Sequence, residues 1–238
     1  MTNQSILRLI KERKSTRVFD GTRTIESDVL HNILEAAAYA PTGHNMQNFQ
    51  IIIVDDKAVL SKLGEVETSF TPEFVQWNLE ELSFSEDELK KKKTGMLSTS
   101  FPPSWFTPEA REGKIDPSQL KSKLSNMLHQ VSALMIILFD PKQGGKNPSG
   151  ESNDIMSLGF MLENVWLMAN AQGVGLRIVS AVAAKPVADK IKEILDIPSS
   201  LKIAVGCCLG YPANDSPNEI RVHRDVEDFT FFNRYSGV

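Results

Sequence analysis

Four side chains that donate hydrogen bonds lie within five positions near the start of the chain: Arg13, Lys14, Ser15 and Arg17. Guanidinium and ammonium groups bind phosphate and the polar edges of planar rings, and a neighbouring hydroxyl adds a donor. The same residues follow a predicted helix over residues 4–13, whose C-terminal dipole also favours positive charge. The cluster is therefore either an anion-binding site or a solvated helix end.

A second polar cluster lies in residues 41–49, PTGHNMQNF. Proline, glycine and short polar side chains are typical of a loop, and Pro41 begins this one. Thr42, Asn45 and Gln47 could direct hydrogen-bonding groups at one ligand, or they could satisfy the backbone of the loop itself. The segment is thus a candidate binding loop with a structural alternative.

Other chemistries have no support in the sequence. The GGK of residues 144–146 lacks the spacing of a phosphate loop, and no GxGxxG follows a predicted strand. The two cysteines are adjacent in an apolar run, where neighbours rarely form a bridge. The histidines are too scattered for a zinc site or for a Ser-His-Asp or Cys-His constellation. The residues concerned are Cys207, Cys208, His31, His44, His129 and His223.

The composition is that of a soluble globular protein. The chain has 238 residues, 41% of them hydrophobic and 24% charged. A net charge of -4 gives no general attraction to nucleic acid or to anionic membranes, so we expect neither as a partner. The first 17 residues are amphipathic but lack the apolar core and cleavage site of a signal peptide. We therefore expect a cytoplasmic protein.

Hydrophobic periodicity predicts alternating helices and strands. After the first helix, a second is capped by Thr24 or Ser27 and ends before Pro41, because the residue preceding a proline is disfavoured in a helix. Further helices are predicted at 57–63 and at 186–195, where Pro186 lies in the first turn. Strands are predicted at 49–55, 133–140 and 201–212, with 176–182 part strand and part loop. This pattern favours a layered domain of helices and strands.

Residues 65–126 differ from the rest of the chain because they are rich in proline and aromatic residues. We interpret them as short helices and loops that cover the main sheet, within one domain spanning residues 1–238. The lysine run Lys90–Lys93 favours a solvated helix face. The aromatic residues could instead stack on a planar substrate: Phe70, Phe74, Trp77, Phe84, Phe101, Trp105 and Phe106.

The most unusual segment spans residues 151–175. Ser152, Asn153 or Asp154 can cap a helix, Gly173 and Gly175 can end it, and Glu163 is the only charge between Ile155 and Ala171. A helix that is apolar nearly all round must be buried nearly all round. We therefore predict a central helix that is enclosed by its own domain or partly by a second subunit.

Four motifs occur in order: RKSTRVF, APTGHNMQNFQ, a long apolar helix ending in NAQGVG, and VGCCLGYP before a basic tail. In this order and spacing, across about 200 residues, the chain resembles the FMN-dependent nitroreductase family. The resemblance implies an α+β fold, a nitroreductase-like α-β-α sandwich with a mainly antiparallel central sheet. It also implies an intertwined homodimer with two FMN sites at the interface.

The resemblance also assigns a flavin site. Arg13, Lys14, Ser15 and Arg17 match the motif that contacts the phosphate, the ribityl chain and the pyrimidine edge, and Arg17 matches the position near N1 and the C2 carbonyl. The loop residues match a motif that contacts the isoalloxazine, often that of the other subunit. Residues 178–181 match a segment that lies against the ring, whose backbone N–H groups reach N5. Arg221 matches a late phosphate contact, which Arg224 could supplement. The residues assigned by the loop, the ring segment and the phosphate contact are Pro41, Thr42, Asn45, Gln47, Ile178, Val179, Ser180, Ala181, Arg221 and Arg224.

The sequence departs from the family pattern at several positions. Lys14 replaces an arginine or histidine, and Asn48-Phe49 replaces Pro-Trp. Ala181 replaces a frequent glycine, and Glu219 occupies a position that is often lysine, which weakens the phosphate assignment there.

The family's activity implies a hydride passed from NAD(P)H through flavin N5 to a nitroaromatic, a quinone or a similar acceptor by a ping-pong mechanism. Arg17 would be the catalytic residue because it can stabilise negative charge at N1–C2. Three alternatives stay open: a flavin-binding redox sensor without turnover, a flavin destructase-like reaction and a reductive dehalogenase-like reaction. Tyr39, Tyr211 and Tyr235 all lie outside residues 65–126, which disfavours the lid of a deiodinase.

Overall fold

The structure is a computed structural model that describes residues 3–101, 109, 112, 114, 120–143, 150–214 and 220–235, except for the side chains of residues 3, 150 and 151. The chain divides into two compact units. The first comprises Met1–Thr68 and Lys123–Ser216, and the second comprises Ser69–Ser122 and Pro217–Val238.

The described helices are α1 (Asn3–Glu12), α2 (Ser27–Ala38), α3 (Lys57–Gly64), α4 (Pro72–Glu81), α5 (Glu86–Lys92), α6 (Ser125–Leu128), α7 (Gly150–Ala171) and α8 (Lys185–Ile194). The described strands are β1 (Gln50–Val54), β2 (Glu67–Ser69), β3 (Lys121–Lys123), β4 (Ala133–Phe139), β5 (Gly175–Val179) and β6 (Lys202–Gly210). Strands β2 and β3 form a separate pair. The predicted strands and helices outside residues 65–126 are thus confirmed, with ends that differ by a few residues.

The first unit is built on a four-stranded sheet with the order β1-β4-β6-β5. Every neighbouring pair of strands is antiparallel. Central strand β4 alternates its side chains between two hydrophobic clusters, as the two-residue period of a strand requires. Ala133, Met135 and Ile137 pack with α2 and α7, whereas Leu134 and Ile136 pack with α3, α6 and α8. Helices therefore cover both faces, and the predicted α-β-α sandwich with an antiparallel sheet is confirmed.

Three helix ends test the predicted capping signals. Gly173, just after α7, has a φ of 74°, the left-handed conformation that ends a helix, so the predicted stop is confirmed. Pro186 lies in the first turn of α8, also as predicted. The predicted N-cap of α2, Thr24 or Ser27, is wrong, because the N-cap residue is Glu26 and its side chain makes no capping hydrogen bond.

The predicted N-cap of the central helix α7 is also wrong. The helix begins at Gly150, so Ser152, Asn153 and Asp154 lie inside it. The three residues therefore continue the helix instead of starting it.

The central helix is enclosed by its own chain over only part of its length. Met161, Val165 and Ala169 are fully buried against α2 and the sheet. Ile155 and Phe160, by contrast, are 61% and 49% exposed. Of the two predicted enclosures, the chain's own domain therefore accounts for the C-terminal half of the helix, and burial of the N-terminal half by a second subunit stays a prediction.

The second unit has a small hydrophobic core of its own. Val75, Leu79, Leu82 and Leu120 are buried together there. The lysine run behaves as predicted: Lys90, Lys91 and Lys92 are exposed on α5 and the first and third of them pair with acidic residues one turn earlier. Lys93 ends that helix and its Nζ contacts the carboxylates of Asp225 and Asp228 in the tail. Whether this unit covers the sheet stays a prediction.

Candidate functional site

The first basic segment leaves α1 and runs beside edge strand β5. Ser15 forms a parallel bridge with Leu176, and Thr16 N donates to Leu176 O over 2.9 Å. Two residues after Thr16, Val18 O accepts a hydrogen bond from Ala213 N at 3.1 Å, so the segment also pairs with the chain that leaves β6. The backbone of Arg17 is therefore fixed from both sides.

The contact with β5 depends on a glycine. A Cβ built on Gly175 would lie 2.4 Å from Thr16 Oγ1 and 2.6 Å from Thr16 Cβ. Real Cβ atoms do not approach other atoms so closely, so an alanine at this position requires Thr16 to move. Thr16 is itself buried, and it directly precedes Arg17. The absence of a side chain at Gly175 thus sets the position of the basic segment.

The side chain of Arg13 points to the central helix. Its guanidinium lies 4.5 Å from the centre of the Trp166 ring, and its Nε lies 3.5 Å from Glu163 Oε1. Trp166 Nε1 also donates to the backbone oxygen of Lys14 at 3.3 Å. These contacts join the start of the segment to α7, while the side chain of Lys14 is exposed.

A hydroxyl–carboxylate contact holds the chain after β6. Buried Tyr211 donates its hydroxyl hydrogen bond to Glu26 Oε2, and Arg23 lies over the Tyr211 ring at 3.4 Å. The hydrogen bond from Tyr211 lowers the pKa of Glu26, and the same bond raises the pKa of Tyr211. Because Tyr211 O accepts from Asp20 N at 2.8 Å, this cluster also fixes the end of the basic segment.

The loop of residues 41–48 has an unusual backbone. His44, Asn45 and Gln47 have φ values of 52°, 55° and 47°, in the left-handed region that residues other than glycine seldom adopt. Within the loop, Gln47 N donates to Thr42 Oγ1 and Gln47 Nε2 donates to Asn45 Oδ1, each at 3.1 Å. The predicted polar residues therefore contact one another, and the side chains of Asn45 and Gln47 are exposed.

The loop is attached to the central helix at a different place from the basic segment. Gly43 N donates to Ser157 Oγ at 3.3 Å, whereas the basic segment contacts Glu163 and Trp166. Ser157 and Trp166 are nine positions apart on the helix, a rise of about 14 Å. The two predicted motifs thus approach α7 at separate points along its axis.

The predicted ring-facing segment follows directly from β5. Ile178 is 39% exposed at the end of this edge strand, whereas Val179 is buried. Ser180 and Ala181 then begin a 3-10 turn, Ser180–Ala183. Since β5 is the strand beside Ser15 and Thr16, the structure brings this segment and the first motif together.

The late arginines belong to the second unit. Arg224 Nη2 donates to the backbone oxygen of Asp228, and its guanidinium lies 5.6 Å from the centre of the Phe229 ring. Arg221 is exposed. The phosphate contacts assigned to both stay predictions. Glu219, Trp105 and Phe106 lie outside the residues that the structure describes.

The two cysteines are poorly suited to nucleophilic catalysis and to metal binding. Both are free, and both are buried on β6. Burial raises the pKa of Cys207 to about 12 and that of Cys208 to about 11. Neutral, enclosed thiols are poor nucleophiles and poor metal ligands. Among the described residues, no group of three or more His, Cys, Asp or Glu side chains could hold a metal ion.

With this geometry in place, comparison with known proteins decides the family. The model of the nitroreductase family matches residues 10–211, which include the basic segment, the loop and all four strands of the main sheet. The chain belongs to the nitroreductase family. A curated relative from Archaeoglobus fulgidus, named as a candidate NADH dehydrogenase/NAD(P)H nitroreductase, is 24% identical over 230 residues, covering 93% of this chain and 98% of the relative.

Solved structures agree with the nitroreductase fold. A nitroreductase with bound FMN from Bacteroides fragilis has a TM-score of 0.59 at 19% identity, covering 97% of this chain and 99% of that one. Another with bound FMN, from Desulfitobacterium hafniense, has the same TM-score and identity, covering 98% and 100%. At this level of identity the likeness shows the fold, and the predicted fold family is confirmed.

Sequence reasoning missed several residues that position the predicted site in this nitroreductase-family chain: Thr16, Asn48, Glu163, Trp166 and Gly175. One signal was available, because a single charge on an otherwise apolar helix needs a partner, and Glu163 has one in Arg13. The close approach of Thr16 to Gly175 had no sequence signal, since the two residues are 159 positions apart.

Proposed function

We propose that this protein is an FMN-dependent oxidoreductase that passes a hydride from NAD(P)H, through flavin N5, to a nitroaromatic, a quinone or a similar acceptor by a ping-pong mechanism. The observation that carries this proposal is the fixed basic segment beside β5, in a chain whose family match spans residues 10–211. That segment presents Arg17 from a backbone that is hydrogen-bonded on both sides.

The donors of this segment suit FMN, which has a phosphate, a polyhydroxylated chain and a ring with polar edges. Arg17, Lys14 and Ser15 would supply a guanidinium, an ammonium and a hydroxyl for the phosphate and the polar edges. The half-exposed Ile178 at the end of β5 would offer an apolar contact to a flat ring. Backbone N–H groups of Ile178, Val179, Ser180 and Ala181 would bond near N5.

Arg13 has a more restricted role in this proposal. Its guanidinium packs on Trp166 and pairs with Glu163, so it would act mainly by fixing the segment from which Lys14 and Arg17 reach the cofactor. Arg221 and Arg224 would add phosphate contacts.

Arg17 is the proposed catalytic residue. Its guanidinium, carried by a backbone that is hydrogen-bonded on both sides, would stabilise negative charge in the N1–C2 carbonyl region of a bound flavin. The protein needs no side-chain nucleophile for this chemistry. The neutral, buried thiols of Cys207 and Cys208 are consistent with that mechanism.

We also propose that the active form is a homodimer in the cytoplasm, where NAD(P)H is produced, without a nucleic-acid or membrane partner. Ile155 and Phe160 leave an apolar surface on α7 that a second subunit would bury. The separate attachment of the loop to Ser157 supports a site in which Pro41, Thr42, Asn45 and Gln47 contact the flavin of the partner subunit. Along the described part of the chain, every helix is too short or too polar to cross a bilayer.

Steady-state kinetics tests the activity. Oxidation of NADH or NADPH should be rapid only when a quinone or a nitroaromatic is present. Double-reciprocal plots at several acceptor concentrations should be parallel, as a ping-pong mechanism requires. A protein that binds FMN but oxidises neither nucleotide with any acceptor of these classes would be a flavin-binding sensor, and the proposed activity would be wrong.

A further inference from the structure

The binding loop has a second attachment, which the family motifs do not assign. It lies at the C-terminal end of the loop, where Asn48 precedes β1. Asn48 Nδ2 donates to Asp140 O over 2.9 Å, and Asp140 N donates to Asn48 Oδ1 over 3.0 Å. One side-chain amide thus satisfies both backbone groups of a single residue that follows β4.

The register of the sheet explains this pair of bonds. Strands β1 and β4 are antiparallel, and their last pair is Gln50 with Leu138. Two residues further along the same register, Asn48 would be opposite Asp140. At that point the backbone turns, because Phe49 N donates to Gln47 O at 2.7 Å across Asn48. The side chain of Asn48 therefore makes the two bonds that the backbone of a continuing strand would make.

The two bonds made by the Asn48 side chain also affect the backbone of the loop. They end β1 early, so that Gln47 can take its left-handed φ of 47° and donate its N–H to Thr42 Oγ1. Left-handed conformations cost free energy in residues other than glycine, so they need bonds that hold them. The loop has such a bond at each end, with Ser157 at Gly43 and with Asp140 at Asn48.

We propose that Asn48 is a positioning residue that holds Thr42, Asn45 and Gln47 in the conformation that binds FMN. This inference rests on the proposed function, since it concerns the affinity of the same loop for the same cofactor. Asn48 acts through the backbone of Asp140 and through the turn at Gln47. Both polar atoms of its side-chain amide are hydrogen-bonded to the backbone of Asp140.

Two variants test this role. Asn48→Ala removes both bonds. Asn48→Asp keeps the size of the side chain but replaces the donor with a carboxylate oxygen that faces the Asp140 carbonyl oxygen. If the loop then occupies its binding conformation about a tenth of the time, the dissociation constant for FMN rises about tenfold. Gln50→Glu is the matched control, because it adds the same charge at an exposed position of β1 and leaves the affinity unchanged.

Two readouts separate positioning from general stability. In the protein without added flavin, hydrogen exchange at the Gln47 amide should accelerate in both Asn48 variants, while exchange in β4 and β6 stays at the wild-type level. In the flavin-loaded protein, the visible circular dichroism of FMN should change, because that signal reports the asymmetry of the contacts around the ring.

The outcomes are distinct. If the wild-type protein binds FMN, and both Asn48 variants bind it more weakly and exchange the Gln47 amide hydrogen faster, the proposal is supported. If the wild-type protein binds FMN, but FMN affinity and Gln47 amide exchange are unchanged in both variants, the proposal is overturned and the proposed function is left intact. Equal acceleration of exchange throughout the sheet also overturns it, since Asn48 would then stabilise the whole fold. A wild-type protein that fails to bind FMN overturns both this inference and the proposed function.

Discussion

The contact between Gly175 and Thr16 yields the most specific prediction, for the substitution Gly175→Ala. The new Cβ would lie 2.4, 2.6 and 2.7 Å from three atoms of Thr16. Non-bonded carbon atoms prefer separations of about 3.5–4.0 Å, so Thr16 must move by about 1 Å. Its backbone resists this shift, because Thr16 N is hydrogen-bonded to Leu176 O.

The expected cost follows from two opposing terms. Inserting a methyl group into a closely packed site costs about 1–3 kcal/mol. Replacing a strand glycine by alanine otherwise gains about 0.5–1 kcal/mol, and Gly175 lies in β5 with a backbone that alanine can adopt. The net loss in the free energy of unfolding should therefore be about 0–2.5 kcal/mol.

The assay is urea unfolding of four proteins: the wild type, Gly175→Ala, Thr16→Gly and the double variant. In the Thr16→Gly background all three clashing atoms are absent. There, Gly175→Ala should be neutral or should stabilise the protein. An equal cost of Gly175→Ala in both backgrounds would show that Thr16 does not oppose the added methyl group. Since Thr16 adjoins Arg17, the single variant should also bind FMN more weakly than the wild type.

Three further predictions concern the residues around the site. Arg17→Ala should lower both FMN affinity and the rate of flavin reduction by NAD(P)H in stopped-flow absorbance, and unchanged values for both would exclude its catalytic role. Trp166→Phe removes the hydrogen bond to Lys14 O, so it should cost about 0.5–1.5 kcal/mol in urea unfolding, and a variant as stable as the wild type would contradict that contact. Native protein at pH 8 should leave Cys207 and Cys208 unlabelled by a thiol reagent, because their raised pKa values keep them neutral and buried; rapid labelling would contradict this. Unfolded thiols ionise near pH 8.5, so stability should be unaffected by these groups below that pH and should fall as the pH rises toward 11 and 12.

The main sheet and the helices beside it could be predicted because their signals are local. The run ALMIILF becomes β4 and is buried on both faces, as its unbroken apolar character indicates. Gly173 ends α7, and Pro186 lies in the first turn of α8, through conformational preferences that each residue carries by itself. The order of four motifs then identified the family without any of these contacts.

The attachments of the site could not be predicted, because each joins residues far apart in sequence. Trp166 meets Lys14, Asn48 meets Asp140 and Gly175 meets Thr16 only when the sheet is assembled. Capping signals failed for a different reason. At the start of α2 the N-cap is Glu26, although propensity favours Ser, Thr, Asn or Asp there, since a cap contributes only about 1 kcal/mol and does not by itself fix where a helix begins.

The most direct test of the central claim is the visible absorption spectrum of the purified protein, followed by identification of the compound that heat releases. We expect a flavin spectrum with FMN as the released compound, either in the protein as purified or after it is mixed with added FMN. A colourless protein that takes up no FMN would show that the protein is not an FMN-dependent oxidoreductase.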